Sequence, residues 1–214
     1  MIQKLDFAEP FFQAEYVEAE PAYPVRERCL ILNLAGRSES PVRIGTFLLE
    51  SFCSAVVTGA NLEIPGQALV IRNFGSFSVE DGRTAKRMKQ TWKSLWEYSR
   101  QERNRNVPYY KSPRAVVGGR IGMNFCLAEA DAPSAIHREH GEDFDEIHLQ
   151  VCGTGRVQIF QDSDPGTLCG ELPLCPGTAN GRIWDERGEY PWHRYHSCSR
   201  SVFVVIEKNR GGKA

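Results

Sequence analysis

From Glu146 to Val151 the chain reads Glu-Ile-His-Leu-Gln-Val, polar and apolar in strict alternation. A period of two marks a β-strand, so Glu146, His148 and Gln150 project from one face and Ile147, Leu149 and Val151 from the other. If the polar face meets water, these are ordinary surface groups. If it meets the inside of a barrel, the carboxylate and imidazole must be paired or hold a metal, because an isolated buried charge is costly. All five histidines fall between His137 and His196, which confines the expected chemistry to the second half of the chain.

The first half reads as strands followed by one helix. Residues 28–34, 42–49, 53–58 and 67–72 are β-rich runs punctuated by Gly, Pro, Ser and Asn. Residues 84–105 place Met88, Trp92, Leu95, Trp96 and Ser99 at helical spacing among Lys, Arg and Glu, which predicts one amphipathic helix packed on the β-structure. Arg43-Ile-Gly45 is echoed by Arg120-Ile-Gly122, so two arrangements stay open. One is a single barrel with added strands and a helix; the other is a duplicated barrel whose first copy carries no metal. Either leaves a strand edge to be covered, which makes a homodimer the expected assembly.

Composition narrows the classes. A net charge of −1 argues against a nucleic-acid binder, which normally carries a basic surplus. No apolar run approaches the roughly 18 residues that span a bilayer, and the N-terminus lacks the charged start and apolar core of a signal peptide. A cytoplasmic location is the expectation. The seven cysteines are odd in number and contain no C-x2-C pair, so they read as small packing residues, with Cys152 and Cys198 the two nearest the expected ligand strands.

Motif spacing adds a family resemblance. His140, Glu146 and Gly153 stand at the first His, the Glu and the final Gly of G-x5-H-x-H-x3,4-E-x6-G, with Glu142 at the second His. Pro191 and His196 stand at the ends of P-x-G-x2-H, with His193 at its Gly. Between them, Glu171 to Gly177 follows the turn pattern E-L-x-L-x-P-G. This order resembles the cupin superfamily over residues 114–207.

The resemblance implies a mostly-β fold, a cupin double-stranded β-helix or jelly-roll barrel, over residues 111–214. Residues 1–110 then form a β-rich segment with the helix, which would be a degenerate metal-free cupin if the chain is duplicated. It further implies metal ligands His140, Glu146 and His196, with His193 facing away. Two imidazoles and a carboxylate suit non-haem Fe(II), while Mn, Ni, Co and Zn fit the same donors. With Glu142 in place of a histidine, the set resembles that of ring-cleaving cupin dioxygenases. The activity so implied is oxidation of a small aromatic or acidic metabolite by dioxygen. The alternatives are a metal-dependent isomerase, lyase or decarboxylase, and a non-catalytic small-molecule-binding barrel.

His148 and Glu142 are the candidate proton-transfer groups. His137, three residues before His140, is expected at the surface or behind the ligands rather than on the metal. Arg120 and Arg182 are candidates to anchor an acidic substrate, and Trp184 and Tyr195 to wall the cavity mouth.

Overall fold

The computed structural model describes residues 1–36, 41–138, 140, 143–184 and 188–210. Glu142 lies outside the described residues. Seven strands form the first sheet: β1 (Ile2–Leu5), β2 (Gln13–Val25), β3 (Cys29–Asn33), β4 (Val42–Ile44), β5 (Phe47–Leu49), β6 (Ser54–Val57) and β7 (Ala60–Arg72). Its order is β1-β2-β7-β3-β6, with the β4–β5 hairpin added along β7. All five residues of β3 are buried because both faces are covered. Leu30 and Leu32 join the large core against the rest of the protein, while Cys29 and Ile31 face a smaller core formed with Val17, Leu62 and Val70. The pairing of β2 with β7 shifts register beside Ala19, which adopts a left-handed φ of 50°. Such a bulge bends the long hairpin and lets it wrap that smaller core.

The predicted helix over residues 84–105 is broken in the structure. Helix α1 (Gly82–Thr91) starts where the Asp81 carboxylate accepts hydrogen bonds from the Arg83 and Thr84 N–H groups, and ends at Trp92, whose backbone is extended. Lys93 and Ser94 then pair as strand β8 with β9 (Tyr109–Lys111). Ser94 opens a second short helix, α2 (Leu95–Ser99), by exchanging hydrogen bonds with Glu97. The Ser-x-x-Glu capping box restarts the helix at a new angle, and a helical stripe alone does not reveal such a restart.

The remaining strands are β10 (Ala115–Val117), β11 (Ile121–Ala128), β12 (Ala132–Pro133), β13 (Phe144–Cys152), β14 (Gly155–Phe160), β15 (Leu168–Leu174), β16 (Trp192–Ser197) and β17 (Ser201–Asn209). They form two antiparallel sheets, β13-β17-β11-β9-β8 and β12-β16-β14-β15. A bridge from Leu149 to Ala179 extends the sheet of β13 and β17 beyond β13. Facing sheets in this strand order, the second of four strands and the other widened to six by β8, β9 and β10, make a jelly roll. The fold is thus mostly β, as the alternating segments and the resemblance imply.

The sheet holding β13 is a middle layer. Ile147, Leu149 and Val151 of β13, with Phe125 of β11 and Val204 of β17, pack against the first sheet. The opposite faces of β11 and β17 carry Cys126, Phe203 and Val205 into the jelly-roll interior. Glu146, His148 and Gln150 are therefore also buried, on the interior side. The face left open between water and barrel interior is a barrel interior. The echo between residues 43–45 and 120–122 has no common geometry: Gly45 turns with φ of 61° after β4, whereas Gly122 lies inside β11.

Candidate metal centre

Strand β16 faces β13 across the barrel. Its burial alternates, with His193, Tyr195 and Ser197 inward and Trp192, Arg194 and His196 outward. The structure thus corrects the expected ligand on this strand. His196 points away and its Nε2 lies 3.0 Å from Oδ1 of Asp131, an exposed residue. His193 is fully buried and its Nε2 sits 3.1 Å from Oε2 of Glu146. Residues three apart on a strand occupy opposite faces, so only one of the two histidines can look inward.

His137 joins the cluster through the backbone. It forms an antiparallel bridge with His193, each N–H donating to the other's carbonyl at 2.9–3.0 Å, and the rings lie 4.5 Å apart. The expectation that His137 stands at the surface or behind the ligands is corrected by its ring nitrogen, which lies within the cluster 3.9 Å from Glu146 Oε2. His140 completes the group from the following loop, packed against Phe144 and Tyr190. One ligand atom from each of His137, His140, Glu146 and His193 lies within 4.8 Å of all the others.

The donor set fits a metal ion. Nε2 of His193, His140 and His137 lies 3.1, 3.6 and 3.9 Å from Glu146 Oε2. Ligands bonded at near 2.1 Å stand about 3.0 Å apart at right angles and about 3.4 Å apart in a tetrahedron, so modest rotations would close the shell. The Nδ1 atoms of His193 and His137 lie 2.9 and 3.1 Å from the carbonyls of Pro191 and Ala135. A carbonyl only accepts, so each Nδ1 carries a proton; with both rings neutral each Nε2 turns a lone pair toward the carboxylate, and without a cation only a second proton on His193 Nε2 makes that contact a hydrogen bond. A cation between the lone pairs and the carboxylate resolves that opposition. His140 Nε2 is likewise buried with no hydrogen-bond partner.

Burial favours the neutral form of His137, His140 and His148 beside the anion, whereas the contact with Glu146 favours protonated His193. Burial, only partly offset by Glu146, pushes His140 and His148 down to about 4 and lowers His137. Burial opposes the charge on Glu146 too, but the hydrogen bond to His193 and the neighbouring imidazoles outweigh it and hold the carboxyl well below its usual range. His193 is lowered by burial and raised more by its bond to Glu146.

A pH prediction follows for protein freed of metal. A histidine whose folded pKa is depressed stabilises the fold fully above its unfolded value, near 6.5, and loses that contribution as pH falls toward 4. For His148, 5% exposed, the loss at pH 5 is about 2 kcal/mol. Thermal unfolding should therefore occur several degrees lower at pH 5 than at pH 7, and His148→Gln should narrow the gap. An unchanged or higher midpoint at pH 5 would contradict the buried neutral imidazole.

The cluster sits in a cavity of about 400 Å³. His148, Tyr195 and Phe203 line one side, and Tyr98 to Asn104 of the α2 region line another. His148 Nδ1 is buried without a partner, and its ring stacks on Tyr195 at 5.7 Å. Tyr195 is held by Gln150 and Ser201. The cavity thus includes the expected His148 and Tyr195.

The other expected substrate groups lie elsewhere. Arg182 is ion-paired with Asp145, which projects from β13 on the side opposite Glu146, and its guanidinium lies over Phe52. Trp184 is covered by the guanidiniums of Arg182 and Arg210 at 4.9 and 3.9 Å. Arg120 is exposed in the turn before β11. None of the three lines the cavity, whereas Arg103 and Lys111 do. Burial pushes the Cys152 thiol up to about 12, and the side chain reaches the Phe74 carbonyl rather than the cavity. Cys198 is exposed, and Cys126 is the cysteine that lines the cavity. Gly153, matched in the motif, has φ of 66°, and a Cβ there would meet the Arg200 carbonyl at 2.2 Å.

No family model matches the sequence, and no curated protein matches it. Similar solved structures include a cupin-2 domain from Rhodospirillum rubrum, at 9% identity and TM-score 0.36, over 50% of this chain and 63% of that one. A cupin-superfamily sugar phosphate isomerase from Silicibacter pomeroyi aligns at 20% identity and TM-score 0.37, over 50% and 63%. Bacillus subtilis oxalate decarboxylase, described with Mn(II) centres, aligns at 12% identity and TM-score 0.36, over 96% and 71%. Overlays at such TM-scores carry no argument about activity. In its jelly-roll strand order and the spacing of its motifs, with a histidine and carboxylate cluster inside the barrel, the chain resembles the cupin superfamily.

Proposed function

We propose that the protein is a metal-dependent enzyme, a non-haem Fe(II) dioxygenase acting on a small aromatic or acidic metabolite. The observation that carries the metal is the convergence of His137, His140, Glu146 and His193 at one wall of a cavity large enough for such a molecule. His137, His140, Glu146 and His193 would hold the ion at the cavity wall, within reach of a molecule bound there. When bound, Fe(II) supplies activation of dioxygen. Tyr98, Tyr109 and Phe203 offer apolar and aromatic walls that shield substrate from water. His148 is neutral at pH 7, and its unpartnered Nδ1 makes it the group placed to take or return a proton.

That same histidine supports a second reading, a Lewis-acid isomerase, lyase or decarboxylase in which proton transfer is the main protein contribution. Oxygen-electrode traces from Fe(II)-loaded protein with a panel of small carboxylic acids separate the two. Uptake that depends on both iron and acid is expected. Turnover at equal rate under nitrogen would move the assignment to the second reading.

A homodimer, a cytoplasmic setting and the absence of nucleic-acid or membrane partners belong to the same proposal. The first sheet ends at β1 and β6, where Ile2 and Val56 are exposed, and light scattering near twice 24.1 kDa would support pairing. Among the described residues, no helix is long and apolar enough to cross a membrane.

A further inference from the structure

Four charged side chains besides the histidines line the cavity, and two of them are already committed. Glu146 faces the imidazoles, and Glu207 is held by Arg114 at 2.6 Å. The two cations are different. Among the described residues neither Arg103 nor Lys111 has a carboxylate within ion-pair distance; Arg103 holds the side-chain carbonyl of Gln101, and the Lys111 ammonium lies 4.9 Å over the Tyr98 ring.

The placement of Lys111 is not that of a solvated surface charge. Lys111 follows Tyr109 at a spacing of two on β9, and the Tyr109 side chain is buried inside the barrel. Lys111 is itself half-buried and shares the cavity wall with His148. Arg103 is exposed, in the turn after α2, and borders the same cavity beside His137 and His140. A half-buried ammonium on an aromatic wall, in the same cavity as a metal-type cluster, is arranged to receive an anion that arrives from outside.

We propose that Lys111 binds a carboxylate of the substrate, so that this cavity takes a small organic acid, with Arg103 at the rim adding attraction for it. A carboxylate suits the site better than a phosphate, since a single point-charge ammonium replaces the several N–H groups and guanidinium forks that phosphate sites gather. The proposal rests on the metal reading for the other end of the acid, and on Lys111 alone for this end.

Calorimetric titration with succinate and its uncharged diamide, succinamide, tests it on Mn(II)-loaded and metal-free protein. Succinate should bind about tenfold or more tightly than succinamide, the size of one charge-assisted hydrogen bond, and added salt should narrow the gap. In metal-free protein Lys111→Met, which keeps the apolar stem, should abolish the preference; in Mn(II)-loaded protein it should reduce it while leaving Mn(II) affinity intact, and Lys111→Arg should restore part of it. Equal binding of succinate and succinamide by the wild type, or a preference that survives undiminished in metal-free Lys111→Met, would overturn the proposal even if Mn(II) binds. So would inorganic phosphate competing as well as succinate. Conversely, Lys111-dependent succinate binding in a protein that takes up no Mn(II) would remove the metal reading and leave the carboxylate site standing.

Discussion

His193→Ala and Glu146→Gln should each weaken divalent-metal binding by roughly 100-fold or more, because each removes a direct donor and replacing even outer partners of a metal site costs 10–100-fold. His196→Ala should leave affinity at the wild-type value. The contrast is sharp because the two histidines are three residues apart on one strand and yet face opposite ways. His193 is fully buried with Nε2 against Glu146, and His196 bonds Asp131 on the outside. Glu146→Gln carries a second signature. The carboxylate is what raises His193 against the effect of burial, so its removal should let that imidazole titrate at lower pH, which histidine proton shifts would follow in metal-free protein. Elemental analysis after purification without chelator, followed by competition titration, reads the affinities. Stoichiometric metal in His193→Ala, or its loss in His196→Ala, would end this assignment.

The same strand shows where a sequence can be read and where it cannot. On β13 the alternation from Glu146 to Val151 correctly divides the residues between two faces, since every position is constrained by burial on both sides. On β16 the parity signal was also present: Arg194 shares a face with Trp192 and His196, and an arginine marks the outer side, which leaves His193 with Tyr195 and Ser197. Motif spacing favoured His196 and obscured that signal. His137 had no such cue, because it enters through a backbone bridge to a strand more than fifty residues away, and loop positions have no periodicity. Arg103 and Lys111 were invisible for a related reason. Lys111 reaches the cavity because β9 pairs with β11, where it stands opposite Cys126, and Arg103 because the turn after α2 borders it, and neither placement is signalled by a residue near the histidines. Strand β2 is hidden because Pro21 and Pro24 interrupt its pattern; Pro21 falls within a register shift against β7, while Pro24 pairs opposite Asn61 near the strand end.

Phe125→Ala should be among the most destabilising single changes in the protein, by about 3–5 kcal/mol. The ring is fully buried between layers, stacked on Phe12 at 4.9 Å and beside Phe7 at 5.1 Å, with Trp92 closing the far edge at 6.3 Å. These partners come from the turn after β1 and from the end of α1, so no single element can move in to refill the space. For a chain of this size the loss corresponds to a fall in melting temperature of roughly 10 °C. Because Phe125 and Cys126 point to opposite faces of β11, the cavity wall is spared, and metal affinity measured well below the transition should match the wild type. Calorimetric unfolding of the variant beside the wild type then reports on the layers themselves. The shared core predicts that the first sheet and the jelly roll melt in one transition displaced as a unit. A shift below about 2 °C, or a second transition that stays at the wild-type temperature, would mean that the two layers are stable independently and that the core between them contributes little.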